Sequence, residues 1–135
     1  MLHRKNHCVA RSCRFVLYNN RRIRPFLTRE AAQLLVQSLV IFRLDYCNSL
    51  LAGLPASAIK PLQRIQNAAA RLVFNLPKFS HVTPLFRDLH WLPVVARIKF
   101  KTMYWHIRQS MKLPLPTSKY WESHTPQLLM TLHFL

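Results

Sequence analysis

The sequence predicts an all-α protein, and three observations carry that expectation. Apolar residues recur at helical spacing along two long stretches, Arg29 to Leu51 and Ser57 to Asn75. Helix start signals stand where those stretches and later ones open, at Thr28 and at Thr83-Pro84. The chain has a single glycine, Gly53, but nine prolines, so its turns are punctuated by proline and polar residues. The expected architecture is a small bundle of about three to four helices. It would occupy residues 29–112, preceded by a basic arm or truncated helix at 1–28 and followed by an irregular tail at 113–135.

Residues 1–29 carry eight Arg or Lys and no acid, around the short apolar island Phe15-Val16-Leu17-Tyr18. A solvated basic arm, or a helix cut off from a parent domain, fits that composition. Thr28 is placed to cap a helix from Arg29 to about Leu51, with Glu30 favourable in its first turn. Leu35, Leu39, Phe42, Tyr46 and Leu50 form one stripe on it; Ala32, Val36, Val40, Leu44, Cys47 and Leu51 form another beside it. So wide an arc predicts burial on two sides. Gly53-Leu54-Pro55 supplies the stop, since glycine takes the left-handed backbone freely and proline cannot continue a helix.

The next helix is expected at or shortly after Ser57, with Pro61 in or near its first turn, because proline deeper inside costs ~3 kcal/mol. It should end near Asn75, before Pro77. Leu62, Ile65, Ala69, Leu72 and Val73 gather on one side of it, and Lys60, Gln63, Arg64, Asn67 and Arg71 on the other. Lys78 to Val82 reads as loop. Thr83-Pro84 opens a short helix to about His90, and Trp91-Leu92-Pro93 breaks it. A longer helix follows from Pro93 to about Lys112, with Ala96, Phe100, Met103, Tyr104, Ile107 and Met111 along one side. Arg97, Lys101, Arg108 and Lys112 fall on a second basic stripe for which the local sequence offers no counter-ion. Pro114, Pro116 and Pro126 make the tail a poor candidate for packed structure.

Three phrases in this order resemble a known family: RLDYCNSLLAGLP (Arg43 to Pro55), LQRIQNAAARLVF (Leu62 to Phe74) and HVTPLFRDLHWLPVVARIKFK (His81 to Lys101). They are similar to the region just C-terminal to the reverse transcriptase domain of non-LTR, LINE-type retrotransposons of the chicken-repeat-1 and Rex kind. With SCRFVLYN and RRIRPFLTREAAQLLVQSLV upstream, the resemblance spans residues 11–102. Phe42 stands where the family more often has a small polar residue, and Asn20 where it often has an apolar one. After Met103 the resemblance ends. The resemblance implies a helical thumb or post-thumb piece that holds template and primer, with the catalytic palm elsewhere.

Composition agrees with a non-catalytic role. A chain of 135 residues suffices for one core and is too short for a polymerase. Its acids, Glu30, Asp45, Asp88 and Glu122, are widely spaced, whereas templated polymerisation needs clustered carboxylates for two metal ions. Asp45, on a helix without a neighbouring carboxylate, reads as a capping or core hydrogen-bonding residue. The lone glycine excludes glycine-rich phosphate loops. His3, His7, Cys8 and Cys13 lack the paired CxxC spacing of a strong zinc signal, so neither metal nor cofactor is expected. The odd set of Cys8, Cys13 and Cys47 fits a reducing compartment. The run Ala31 to Phe42 is short of the ~20 residues of a membrane span, and arginines interrupt any secretory h-region. Trp91, flanked by Leu89, Leu92 and Pro93, reads as a core corner rather than a base-stacking residue.

The charge of +16, from 20 Lys and Arg against 4 Asp and Glu, directs the functional reading. Ordinary solvated faces mix signs, and these do not. RNA or RNA-DNA duplex, bound without sequence preference, is the expected partner, alongside other domains of a parent polymerase. Lys60, Arg64, Arg71, Arg97, Lys101, Arg108 and Lys112 would touch phosphates, and Gln63 and Asn67 sugars or base edges. Two other readings stand beside this one. The chain could be a basic amphipathic module for a protein partner or an anionic membrane surface, or a translated relic with no selected role.

Overall fold

A computed structural model describes residues 2–48 and 51–111, with side chains from His7 to Tyr46 and from Leu51 onward. Every regular element among them is helical. Contacts divide the chain into a unit of residues 1–102 and a second from Met103 on. The expected tail at 113–135, Lys112, and the side chains of His3 and Cys47 lie outside the described residues.

The N-terminal segment is not a solvated arm. It forms α1 (Leu2–Ile23), and Ala10, Cys13, Leu17 and Asn20, three or four positions apart, are buried along one face. Arg11, Arg14, Arg21 and Arg22 occupy the exposed remainder. The arginines mask a helical stripe that is apolar but for Asn20, which is why composition alone leaves arm and helix undecided.

After a 3-10 turn at Arg24–Phe26, Thr28 caps α2 (Arg29–Val36) as expected, its hydroxyl accepting from Ala31 N at 3.2 Å. A π-helical turn, Gln37–Ile41, joins α2 to α3 (Phe42–Asn48) without leaving helical backbone. Ser38 Oγ donates to Leu34 O inside this segment, a side-chain bond that competes with the regular ladder. The wider turn shifts the phase of everything after it. Ala32, Val36, Val40, Ile41 and Leu44 are buried, but Phe42 is 60% and Tyr46 85% exposed. The two-sided burial expected from an uninterrupted 100° count is therefore corrected to one buried arc.

Gly53 has φ 87, the left-handed backbone expected of it. The core helix is α4 (Ala56–Val73), which buries Ala58, Ile59, Leu62, Ile65, Gln66, Ala69, Ala70, Leu72 and Val73. Each large aliphatic side chain buried there contributes about 1.5–3 kcal/mol relative to exposure. Both α1 and α2 pack on α4. Pro61 lies in the second turn rather than the first. The acceptor it deprives of a hydrogen bond belongs to Ser57, an exposed residue.

Both later turns use the same C-terminal device. Asn75 adopts φ 54, and Asn75 N and Leu76 N donate to Leu72 O (3.1 Å) and Arg71 O (2.9 Å), a Schellman motif closing α4 ahead of Pro77. The short helix α5 (Thr83–Asp88) closes likewise. His90 has φ 54, His90 N donates to Arg87 O at 3.1 Å, and Trp91 N donates to Phe86 O at 2.8 Å. Trp91 is buried, with its ring centroid 6.4 Å from that of Phe86. This is the hydrophobic contact that accompanies the motif, and it makes Trp91 the expected corner anchor. The last helix is α6 (Val94–Ser110). Its buried residues include Val94, Arg97 and Ile98, whereas Met103, Ile107 and Met111 of the expected apolar side are exposed.

Candidate nucleic-acid interface

The outer face of α4 presents Lys60 and Arg64, one turn apart and exposed, on a helix without an acid. Gln63, Asn67 and Arg71 are half-buried beside them. Their donors and acceptors are turned inward to differing degrees. Gln63 Oε1 accepts from Val94 N at 2.9 Å, while its Nε2 donates to Asn67 Oδ1 at 2.9 Å and Gln66 Oε1 at 3.1 Å. Gln63 thus satisfies one of the unpaired amides at the start of α6. Expected as a sugar or base-edge contact, it here spends its amide on capping α6 and on neighbours within the fold. Arg71 Nε donates to Ser80 O at 2.9 Å, which ties the loop after α4 to that helix.

Gln66, absent from the expected set, is 1% exposed and donates from Nε2 to Leu92 O at 2.8 Å. The signal was available: a glutamine one turn from Leu62 falls inside the apolar arc, and a buried amide must find partners.

The second basic stripe does not face solvent as a unit. Arg97 is buried, and its Nη1 lies 2.8 and 2.9 Å from the two carboxylate oxygens of Asp45, while Nε donates to Leu92 O at 3.1 Å. The counter-ion missing from the neighbouring sequence comes from 52 residues away. Lys101 Nζ donates to Asp45 O at 2.7 Å, within the last turn of α3, where cations suit the exposed carbonyls. Asp45 is accordingly the hydrogen-bonding residue expected of it, and Arg97 and Lys101 link α3 to α6. In the second unit Arg108 is buried, and its Nη1 donates to Tyr104 Oη at 3.0 Å. Lys112 falls outside the described residues.

Other arginines serve the fold as well. Arg24 donates from Nε to Leu72 O (2.9 Å), from Nη2 to Val73 O (2.7 Å) and from Nη1 to Leu27 O (2.8 Å), covering the C-terminal carbonyls of α4. Arg29 stacks on the Phe74 ring at 4.1 Å. The cations left pointing outward from the first unit include Lys60, Arg64, Arg14, Arg21 and Lys78. The described residues bring no three His, Cys, Asp or Glu side chains together in a metal-binding group. No helix among them is long and apolar enough to cross a membrane. No protein-family model, curated protein or solved structure matches the chain.

Proposed function

We propose that the chain is a non-catalytic helical module that binds the backbone of RNA or RNA-DNA duplex without sequence preference, corresponding to the segment that follows the reverse transcriptase domain in non-LTR retrotransposons. The observation that carries this reading is the pair Lys60 and Arg64, exposed on a helix without a carboxylate in a chain of charge +16. Phosphate binding asks for outward cations on a rigid element, and little more. Among the described residues Asp45 is held by Arg97, and Glu30 and Asp88 lie on separate helices.

The test is the salt dependence of binding to an RNA-DNA hybrid. Replacing Lys60 and Arg64 by Gln removes two phosphate contacts, so the log–log salt slope should flatten by about 1.8. Both side chains are exposed, so stability should change by no more than ~0.5 kcal/mol. An unchanged slope in the folded double variant would show that this face is merely solvated.

A second reading, a relic without a selected role, draws on Asn20. Its Nδ2 is buried with no hydrogen-bond partner at a position where the resembling family often has an apolar residue. A relic whose stabilising partners are gone would lose helix gradually on heating, and a selected module would melt cooperatively.

A further inference from the structure

The seam between α1 and α4 is concave and basic. Near the end of α4 it widens into a cavity of about 270 Å³, lined by Arg14, Tyr18 and Arg21 of α1 together with Arg71, Asn75 and Lys78, and no carboxylate lines it. A second hollow of about 260 Å³ follows the same seam toward the start of both helices, past Pro61 and His7, and shares Arg14 with the first. The two helices run in the same direction here, His7 lying near Ser57 and Arg21 near Asn75. Arg24 also lines the larger cavity, but its guanidinium is committed to three backbone carbonyls, so it adds fixed positive charge rather than a free hydrogen-bonding group.

Arg14, Tyr18 and Arg21 stand at i, i+4 and i+7, on one side of α1. Tyr18 is 65% exposed, an aromatic ring in water between two cations. Cations that track a backbone and an exposed ring that can stack on a base are what single-stranded nucleic acid requires. Arg14 to Arg21 covers about 10 Å at 1.5 Å per residue, enough for roughly two or three phosphates. The two hollows follow one seam and share Arg14, so together they offer a narrow path for a single strand.

We infer that the α1–α4 groove is a binding site for single-stranded nucleic acid, with Arg14, Arg21 and Lys78 on the phosphates and Tyr18 stacked on a base. This site rests on the nucleic-acid reading proposed above and adds to it a separate channel, distinct from the duplex-facing pair Lys60 and Arg64.

The experiment uses the full chain with two labelled probes, a roughly 12-nucleotide oligouridylate and an RNA-DNA hybrid of similar length, at about 50 to 200 mM salt. Tyr18→Ala should weaken oligouridylate binding about 5- to 150-fold with the salt slope unchanged, and Tyr18→Phe, which keeps the ring, should bind within about twofold of the parent. Arg14→Gln with Arg21→Gln should flatten the single-strand slope by about 1.4. Circular dichroism matching the parent shows that the variants are folded. If the parent binds the hybrid through Lys60 and Arg64 but Tyr18→Ala leaves oligouridylate affinity unchanged, the groove assignment alone is overturned. Should the parent bind neither probe, both readings fall together. Tighter binding of an oligoglutamate of equal charge than of oligouridylate would also overturn the assignment, because it would make the groove a site for acidic peptide.

Discussion

Asn20 sits on the buried stripe of α1 among Ala10, Cys13 and Leu17, and its Nδ2 has no hydrogen-bond partner. A buried amide left unsatisfied costs about 1–3 kcal/mol, whereas an apolar side chain of similar size would gain from the same burial. Asn20→Leu should therefore raise stability by at least about 1 kcal/mol, a shift of roughly 4–8 °C in the thermal midpoint of a small domain. A melt by circular dichroism reads it, and a lowered midpoint would mean that the amide is solvated or bound after all. Asp45 and Arg97 illustrate the opposite case, a buried charge whose partner is present. The role of Asp45 could be read from its isolation on a helix, but that of Arg97 could not. Helical counting places a cation on a face; it does not say whether a carboxylate 52 residues upstream will meet it. Arg97 is buried on α6 together with Val94 and Ile98.

At the scale of elements, the sequence was most informative where one residue dictates backbone geometry. Thr28 as an N-cap, Gly53 at positive φ and Trp91 as a buried corner follow from side-chain chemistry within a few residues, and all three are present. The π turn was illegible because no residue type requires it, yet it rotates Phe42 and Tyr46 out of the core. For residues 1–28 the arginines left a solvated arm and a helix as equal readings, because they outnumber the buried residues on which α1 packs. The Schellman turns make a sharper case. Asn75 holds a left-handed conformation that suits glycine best and that asparagine tolerates better than branched residues do. Asn75→Gly should leave stability within ~1 kcal/mol of the parent or above it, and Asn75→Val should lower it by about 1–2 kcal/mol. Urea denaturation of both variants checks this, and equal stabilities would show that the left-handed turn carries no conformational cost.

For the whole molecule, the governing fact is that 20 cations face 4 acids. At least two of those cations, Arg97 and Lys101, are held internally by Asp45, and salt screens the partly buried Asp45–Arg97 pair less than exposed charges. The repulsion among Arg14, Arg21, Lys60, Arg64, Lys78 and the other outward cations acts through water and is screened readily. The Debye length falls from about 30 Å at 0.01 M to about 10 Å at 0.1 M and about 3 Å at 1 M. Across that range, repulsion between neighbouring faces should fade while the Asp45–Arg97 lock persists. Stability should therefore rise with sodium chloride, the reverse of what a fold dependent on surface salt bridges would show. Nucleic acid should act in the same direction at low salt by neutralising the same cations, and it should do so less as salt increases, because counterion release weakens its binding. The decisive measurement is a pair of thermal melts at about 0.01 M and 0.5 M sodium chloride, each with and without an RNA-DNA hybrid. The expected pattern is a midpoint that rises with salt alone and a ligand-induced increment that is large at low salt and small at high salt. A midpoint that falls with added salt would show that pairs such as Asp45–Arg97 outweigh repulsion among the outward cations, and the picture of uncompensated faces awaiting a polyanion would then be wrong.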